Sequence, residues 1–92
     1  MKILQTSSFI RSVKKFHPNE KKALDKAVQK IIANPKIGEA KVGDLAGIFI
    51  FKFKVGNIKW LLAYENLSKR EIMLLLVAPH ENFYRDLKKQ GS

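Results

Sequence analysis

The most regular pattern in the chain lies between Ile48 and Glu65. Read as a strand, Ile48–Val55 sends Phe49, Phe51, Phe53 and Val55 to one side and Ile48, Ile50, Lys52 and Lys54 to the other. Gly56-Asn57 then offers a two-residue turn with glycine first, which predicts a type II′ hairpin. That turn sets the register: Val55 faces Ile58, Lys54 faces Lys59, Phe53 faces Trp60, Phe51 faces Leu62 and Phe49 faces Tyr64. One face of the pair is then wholly apolar, and a slip by one residue would ruin it. On the other face Lys54 opposes Lys59, with Lys52 about 7 Å along the strand. Like charges across a ladder are destabilising, so three clustered lysines ask for an anionic partner.

Other periodicities fill in the remaining elements. Met1–Gln5 reads as a short strand, apolar at Ile3 and Leu4, and Thr6-Ser7-Ser8 supplies helix N-caps. Phe9, Val13 and Phe16 recur at helical spacing, and His17-Pro18 ends that helix and begins another. From Asn19 onward Leu24, Ala27, Val28, Ile31 and Ile32 form a stripe, with Lys21, Lys22, Lys26 and Lys30 on the solvent side, until Asn34-Pro35. This helical hairpin needs a sheet to cover, and the apolar face of Phe49, Phe51, Phe53, Trp60, Leu62 and Tyr64 is the natural candidate. Pro35–Asp44 reads as a linker and Asn66–Arg70 as a polar turn. Ile72–Ala78 is apolar without alternation, as in a strand covered on both faces. After Pro79, His80–Gln90 reads as a final helix with Phe83 and Leu87 at i and i+4, and Lys88-Lys89 near its C-terminus. The fold class predicted is α+β: an N-terminal strand and helical hairpin packed on an antiparallel sheet, two layers thick, with a C-terminal helix.

Composition narrows the function more than the fold. Ninety-two residues, 46% hydrophobic and 28% charged, make one folded domain over 1–92. A formal charge of +10 on so short a chain implies a polyanionic partner. Without cysteine there is no disulfide, thiolate ligand or cysteine nucleophile. Met1–Gln5 turns polar too early for a signal sequence, and Ile72–Pro79 is too short to span a bilayer. A cytoplasmic protein with no membrane partner is expected. The terminal Gly91-Ser92 carries no reading.

Three segments carry a family resemblance. They are Asn34-Pro35 ahead of Val42-Gly43-Asp44-Leu45-Ala46-Gly47, the hairpin from Phe51-Lys52-Phe53-Lys54 to Tyr64, and Pro79-His80-Glu81-Asn82-Phe83-Tyr84-Arg85-Asp86-Leu87. With the element order, they make the chain similar over nearly its whole length to the RelE/ParE superfamily of toxins from type II toxin–antitoxin pairs. The last segment is the most ParE-like. The resemblance implies one of two activities: RelE-like members are endoribonucleases, many cutting mRNA on the ribosome, and ParE-like members inhibit DNA gyrase. Both are neutralised by a cognate acidic antitoxin that winds across the toxin surface.

Metal-independent RNA cleavage needs a base for the 2′-hydroxyl, cations for the charged phosphorane and an acid for the leaving 5′-oxygen. By the resemblance these roles fall on Lys52, Lys54, Lys59, His80 and Tyr84, with no metal or other cofactor. Lys52 or Lys54 is base or phosphate clamp, since crowding lysines lowers the pKa of at least one. Lys59 stabilises the transition state, His80 is the acid, and Tyr84 stacks on a base or shares the proton work. Lys41, Lys52, Lys54, Lys59 and Arg85 form the expected nucleic-acid surface, and Glu39 is an alternative base.

Plainer roles stand beside each of these. Lys52 and Lys54 can be the solvated side of an amphipathic strand, His80 a cap of the last helix, Phe83 or Tyr84 a core contact, and Arg85 the partner of a neighbouring acid. Family nucleases often carry arginine where Lys59 stands, and arginine's rigid fork suits a phosphorane better. A gyrase-directed toxin needs no catalytic set at all. Ile48, Ile50, Leu61 and Ala63 beside the lysines predict an exposed apolar and basic patch, suited to an acidic amphipathic helix or an added strand.

Overall fold

The computed structural model describes residues 1–90, with side chains as far as Lys88. Gly91-Ser92 and the Lys89 side chain expected near the final helix dipole lie outside the described residues. The order is β1 (Lys2–Gln5), α1 (Ser7–Lys14), α2 (Pro18–Ala33), β2 (Glu39–Ala40), a 3-10 turn (Gly43–Leu45), β3 (Ile48–Val55), β4 (Ile58–Ser68), β5 (Glu71–Pro79) and α3 (His80–Gln90). The strands form one five-stranded sheet in the order β1-β5-β4-β3-β2. Neighbours are antiparallel except β1 and β5, which run parallel. The expected α+β class and element order hold. Among the described residues no helix is long and apolar enough to cross a membrane.

The hairpin has the register that its turn predicts, with Val55 opposite Ile58, Lys54 opposite Lys59 and Phe49 opposite Tyr64. Gly56 has φ +62° and Asn57 has negative φ, the combination a type II′ turn requires. The apolar face also finds its expected cover. Phe9, Leu24, Ala27 and Ile31 from α1 and α2 bury Trp60, Leu62 and Tyr64, with Phe49, Phe51, Phe53 and Val55 packed at the margin.

The opposite face departs from expectation. Ile50, Leu61 and Ala63 are not an exposed patch, because Phe83 and Leu87 of α3 bury them together with Leu76 and Ala78. Ile48 is half-buried beside them. The physical reason lies in the helix's own stripe. Phe83 and Leu87 need an apolar surface, α1 and α2 occupy the other face, and Pro79 ends β5 directly before α3. The protein therefore has three layers rather than two, with the sheet in the middle.

Two further differences arise from tertiary contacts. The expected linker Pro35–Asp44 contains β2, which pairs Glu39 with Ile50 and Ala40 with Phe49. The Tyr64 hydroxyl holds this segment, accepting from the Gly38 N–H at 3.0 Å and donating to the Pro35 carbonyl at 2.7 Å. A Cβ on Gly38 would lie 2.9 Å from that hydroxyl, so the close approach requires glycine. Burial pushes the Tyr64 hydroxyl above the usual tyrosine range, which keeps it a neutral donor. In addition, β4 runs on to Ser68, into the expected polar turn.

Along β5 the register slips: Leu74 faces Tyr64 and Leu76 faces Ala63, which leaves Leu75 as a bulge. Ile72 and Leu74 thus join the α1/α2 core, as does Val77, whereas Leu76 and Ala78 join the α3 core. The Leu75 carbonyl, freed from the ladder, accepts the Thr6 hydroxyl at 2.8 Å. The Thr6 Oγ1 in turn caps α1 by accepting from the Phe9 N–H at 3.1 Å. Thr6→Ala removes the cap and leaves a part-buried carbonyl unpaired, so it should cost about 2–3 kcal/mol by urea denaturation. Thr6→Ser should retain most of that stability.

Candidate functional site

The hydrogen-bond alternation of β3 decides how its lysines stand. The Ile48 carbonyl accepts from the Lys41 N–H at 2.9 Å, so Ile48, Ile50, Lys52 and Lys54 turn their backbone groups away from β4. Lys54 and Lys59 are therefore a non-hydrogen-bonded cross-strand pair, the closer of the two kinds, at about 4.5 Å between Cα atoms. Lys52 lies opposite Leu61 on the same face, and all three lysines are exposed. They occupy the part of this face beyond Ile50, towards the turn at Gly56-Asn57.

The last strand brings its candidates to the same end of the sheet. Pro79 pairs with Trp60, so His80 stands at the level of Lys59 as α3 begins. One helical turn on, the Tyr84 ring lies 6.4 Å from that of His80, nearly perpendicular. Tyr84 is wedged between two further neighbours. The Phe83 ring is 5.2 Å away at 88°, and the Lys41 ammonium sits 5.5 Å from the Tyr84 centroid. Phe83 is thus the core contact and Tyr84 the half-buried rim.

Lys41 and Arg85 are already engaged. Lys41 approaches Glu39 at 3.5 Å, and the Tyr84 hydroxyl first, with Glu39 adding less, holds its ammonium above the usual lysine range against the opposing effect of burial. Glu39 is consequently tied to Lys41. Arg85 lies 3.6 Å from Asp86, both on the solvent side of α3. The structure thus groups Lys52, Lys54 and Lys59 on one patch, links His80, Tyr84 and Lys41 in a chain beside it, and leaves Arg85 outside. Among the described residues no group of three or more His, Asp or Glu side chains is placed to hold a metal ion.

One basic surface escapes the periodicity argument. Lys22, Lys26 and Lys30 line a groove of about 470 Å³ between α2 and β3, with Lys52 and Lys54 at its other wall. In the sequence these helix lysines read as a solvent side. Their repeat at i, i+4 and i+8 was the available signal, but the groove itself depends on where β2 stops.

The model of the ParE-like toxin of type II bacterial toxin–antitoxin systems matches residues 3–88. No curated protein sequence matches the chain. Solved structures share the fold at low identity. The isolated E. coli RelE toxin has a TM-score of 0.68 at 13% identity, covering 97% of this chain and 97% of that one. RelE in the intact E. coli RelBE toxin–antitoxin complex gives 0.69 at 13%, covering 84% and 93%. A doubly substituted E. coli RelE bound to a peptide of antitoxin RelB gives 0.67 at 14%, covering 92% and 90%. With a strand, a helical hairpin, a mixed sheet and a closing helix in one domain, and a family model spanning almost all of it, the chain belongs to the ParE-like toxins of type II bacterial toxin–antitoxin systems.

Proposed function

We propose that this toxin is an endoribonuclease that cuts mRNA by metal-independent 2′-hydroxyl attack and so inhibits translation. The observation that supports it best is the exposed Lys54–Lys59 pair with Lys52 beside it, at the end of the sheet where His80 and Tyr84 begin α3. In this reading Lys52 or Lys54 takes the 2′-hydroxyl proton or clamps the phosphate. The 2′-oxygen bonds to phosphorus as the bond to the 5′-oxygen breaks. Lys59 stabilises the phosphorane, and His80 gives its proton to the leaving oxygen, with Tyr84 sharing that work or stacking on a base. RNA is the substrate, ribosome-bound mRNA included, and a cognate acidic antitoxin neutralises the toxin as RelB does in the RelE complexes.

A second reading has its own support. The family match is to the ParE-like branch, and the resemblance connects that branch with inhibition of DNA gyrase without catalysis. Purified protein added to a translation extract separates the two. Cuts at discrete positions in the mRNA are the expected result. Intact mRNA, with trapped breaks in a parallel gyrase–DNA reaction, would transfer the assignment to gyrase.

A further inference from the structure

Lys41 stands apart from the other lysines near the candidate site. Its backbone N–H bonds to the Ile48 carbonyl, one step beyond the pairs Glu39–Ile50 and Ala40–Phe49. That register puts Glu39 and Lys41 on the side of the sheet that carries Ile48 and Ile50, which is the side α3 covers. Lys52, Lys54 and Lys59 are exposed there, whereas the Lys41 side chain is only 23% exposed. Its charge is also matched already, because Glu39 lies 3.5 Å away. A lysine so covered and paired makes a poor phosphate clamp.

What Lys41 does hold is Tyr84. The ammonium lies 5.5 Å from the centroid of that ring, and the Tyr84 hydroxyl is the largest of the influences that keep it charged. An ammonium donates hydrogen bonds and accepts none, so a hydroxyl facing it offers a lone pair and turns its own proton elsewhere. Phe83 packs edge-on against the Tyr84 ring from the buried core, and the His80 ring lies nearly perpendicular to it at 6.4 Å. With the ring bedded between these two, the freedom left is rotation of the O–H. Lys41 removes it.

We infer that Lys41 is a positioning residue for the proposed cleavage, fixing Tyr84 as a proton donor to the leaving 5′-oxygen rather than as a stacking platform. The inference rests on the nuclease reading and decides between the two roles open to Tyr84 there. As the bond from phosphorus to the 5′-oxygen breaks, its electron pair stays on that oxygen, which takes the Tyr84 proton. The tyrosinate left behind faces the Lys41 ammonium and regains its proton from water. A plain staple between the β2 segment and α3 would use the same contact, but it would not respond to the nature of the leaving group.

The test is single-turnover cleavage of a labelled mRNA loaded on ribosomes, beside the same mRNA with sulfur in place of the bridging 5′-oxygen. A thiolate leaves without a proton, whereas an alkoxide needs one. Lys41→Met should slow cleavage of the oxygen substrate about tenfold or more at saturating toxin, with the half-saturating concentration unchanged. It should cut the sulfur substrate at the wild-type rate. Lys41→Arg, also a cation that only donates, should recover much of the loss. Tyr84→Phe keeps a stacking ring, yet it should show the same loss and the same rescue by sulfur. Combining it with Lys41→Met should slow the reaction no further. Apart from activity, the nitrogen-15 ammonium resonance of Lys41 should shift in Tyr84→Phe. Should Lys41→Met fail to fold, Tyr84→Phe and that resonance decide alone. Equal slowing of both substrates, a loss seen only in the half-saturating concentration, unslowed cleavage by either variant, or an unmoved resonance would each overturn the inference and leave the nuclease reading standing. Wild-type protein that leaves both mRNAs uncut would remove the reading and the inference together.

Discussion

Phe83→Ala is expected to lower the free energy of unfolding by about 3–5 kcal/mol. Phe83 is fully buried, and with Leu87 it fastens α3 over Ile50, Leu61, Ala63, Leu76 and Ala78. A domain of this size has roughly 5–14 kcal/mol in total, so the loss is a large share of what holds it folded. Urea denaturation followed by far-UV circular dichroism measures it. Phe83→Leu, which keeps the apolar contact, should lose clearly less. The damage also reaches the candidate site. Tyr84 rests edge-on against the Phe83 ring, so the truncation should loosen Tyr84, and with it His80, before the molecule unfolds. A small stability change for Phe83→Ala would mean that α3 is not anchored through this ring.

Lys54→Ala should reduce the rate of RNA cleavage by roughly 10²–10⁴-fold while leaving stability within about 0.5 kcal/mol, because the side chain is exposed. The contrast between those two numbers is the diagnostic feature. Truncating the lysine relieves its repulsion with Lys59, so any lost activity cannot be assigned to a damaged fold. Lys54→Arg then distinguishes base from clamp. Arginine keeps the positive charge but does not release its proton near neutral pH, so it should restore much of the activity if Lys54 clamps phosphate and little if Lys54 is the base. Single-turnover cleavage of a labelled RNA gives both rates. Unchanged cleavage in Lys54→Ala would remove this residue from the proposed chemistry.

The hairpin was legible in the sequence because two independent constraints agree on it: Gly56-Asn57 sets a register, and that register makes one face wholly apolar. The lysine patch was legible for the same reason, since Lys52, Lys54 and Lys59 interrupt an otherwise apolar alternation. By contrast β2 is two residues long and has no side-chain pattern of its own. What holds it is the ladder with β3 and the Tyr64 hydroxyl against Gly38, both contacts between segments distant in sequence. The side of the sheet that α3 covers was equally hidden. Phe83 and Leu87 announce that the helix needs an apolar surface, but the choice of face depends on which one α1 and α2 have taken. The Lys41–Tyr84 contact joins a loop to the last helix, and no spacing rule anticipates it.

The bulge at Leu75 gives β5 an arithmetic of its own. Up to Leu74 the even-numbered side chains of that strand serve the α1/α2 core, and from Leu76 onward the even-numbered ones serve the α3 core. One extra residue therefore reverses the phase of everything that follows. Were β5 to run through Leu75 as a regular strand, Leu76 and Ala78 would turn towards α1 and α2, and the chain would leave β5 half a pleat out of step with the surface α3 must cover. Changes of length between the bulge and Pro79 are thus constrained by parity more than by size: two residues can be gained or lost in phase, but one cannot. The placement of His80 and Tyr84 beside the lysines depends on an odd residue whose carbonyl is accounted for by a threonine at the opposite end of the chain.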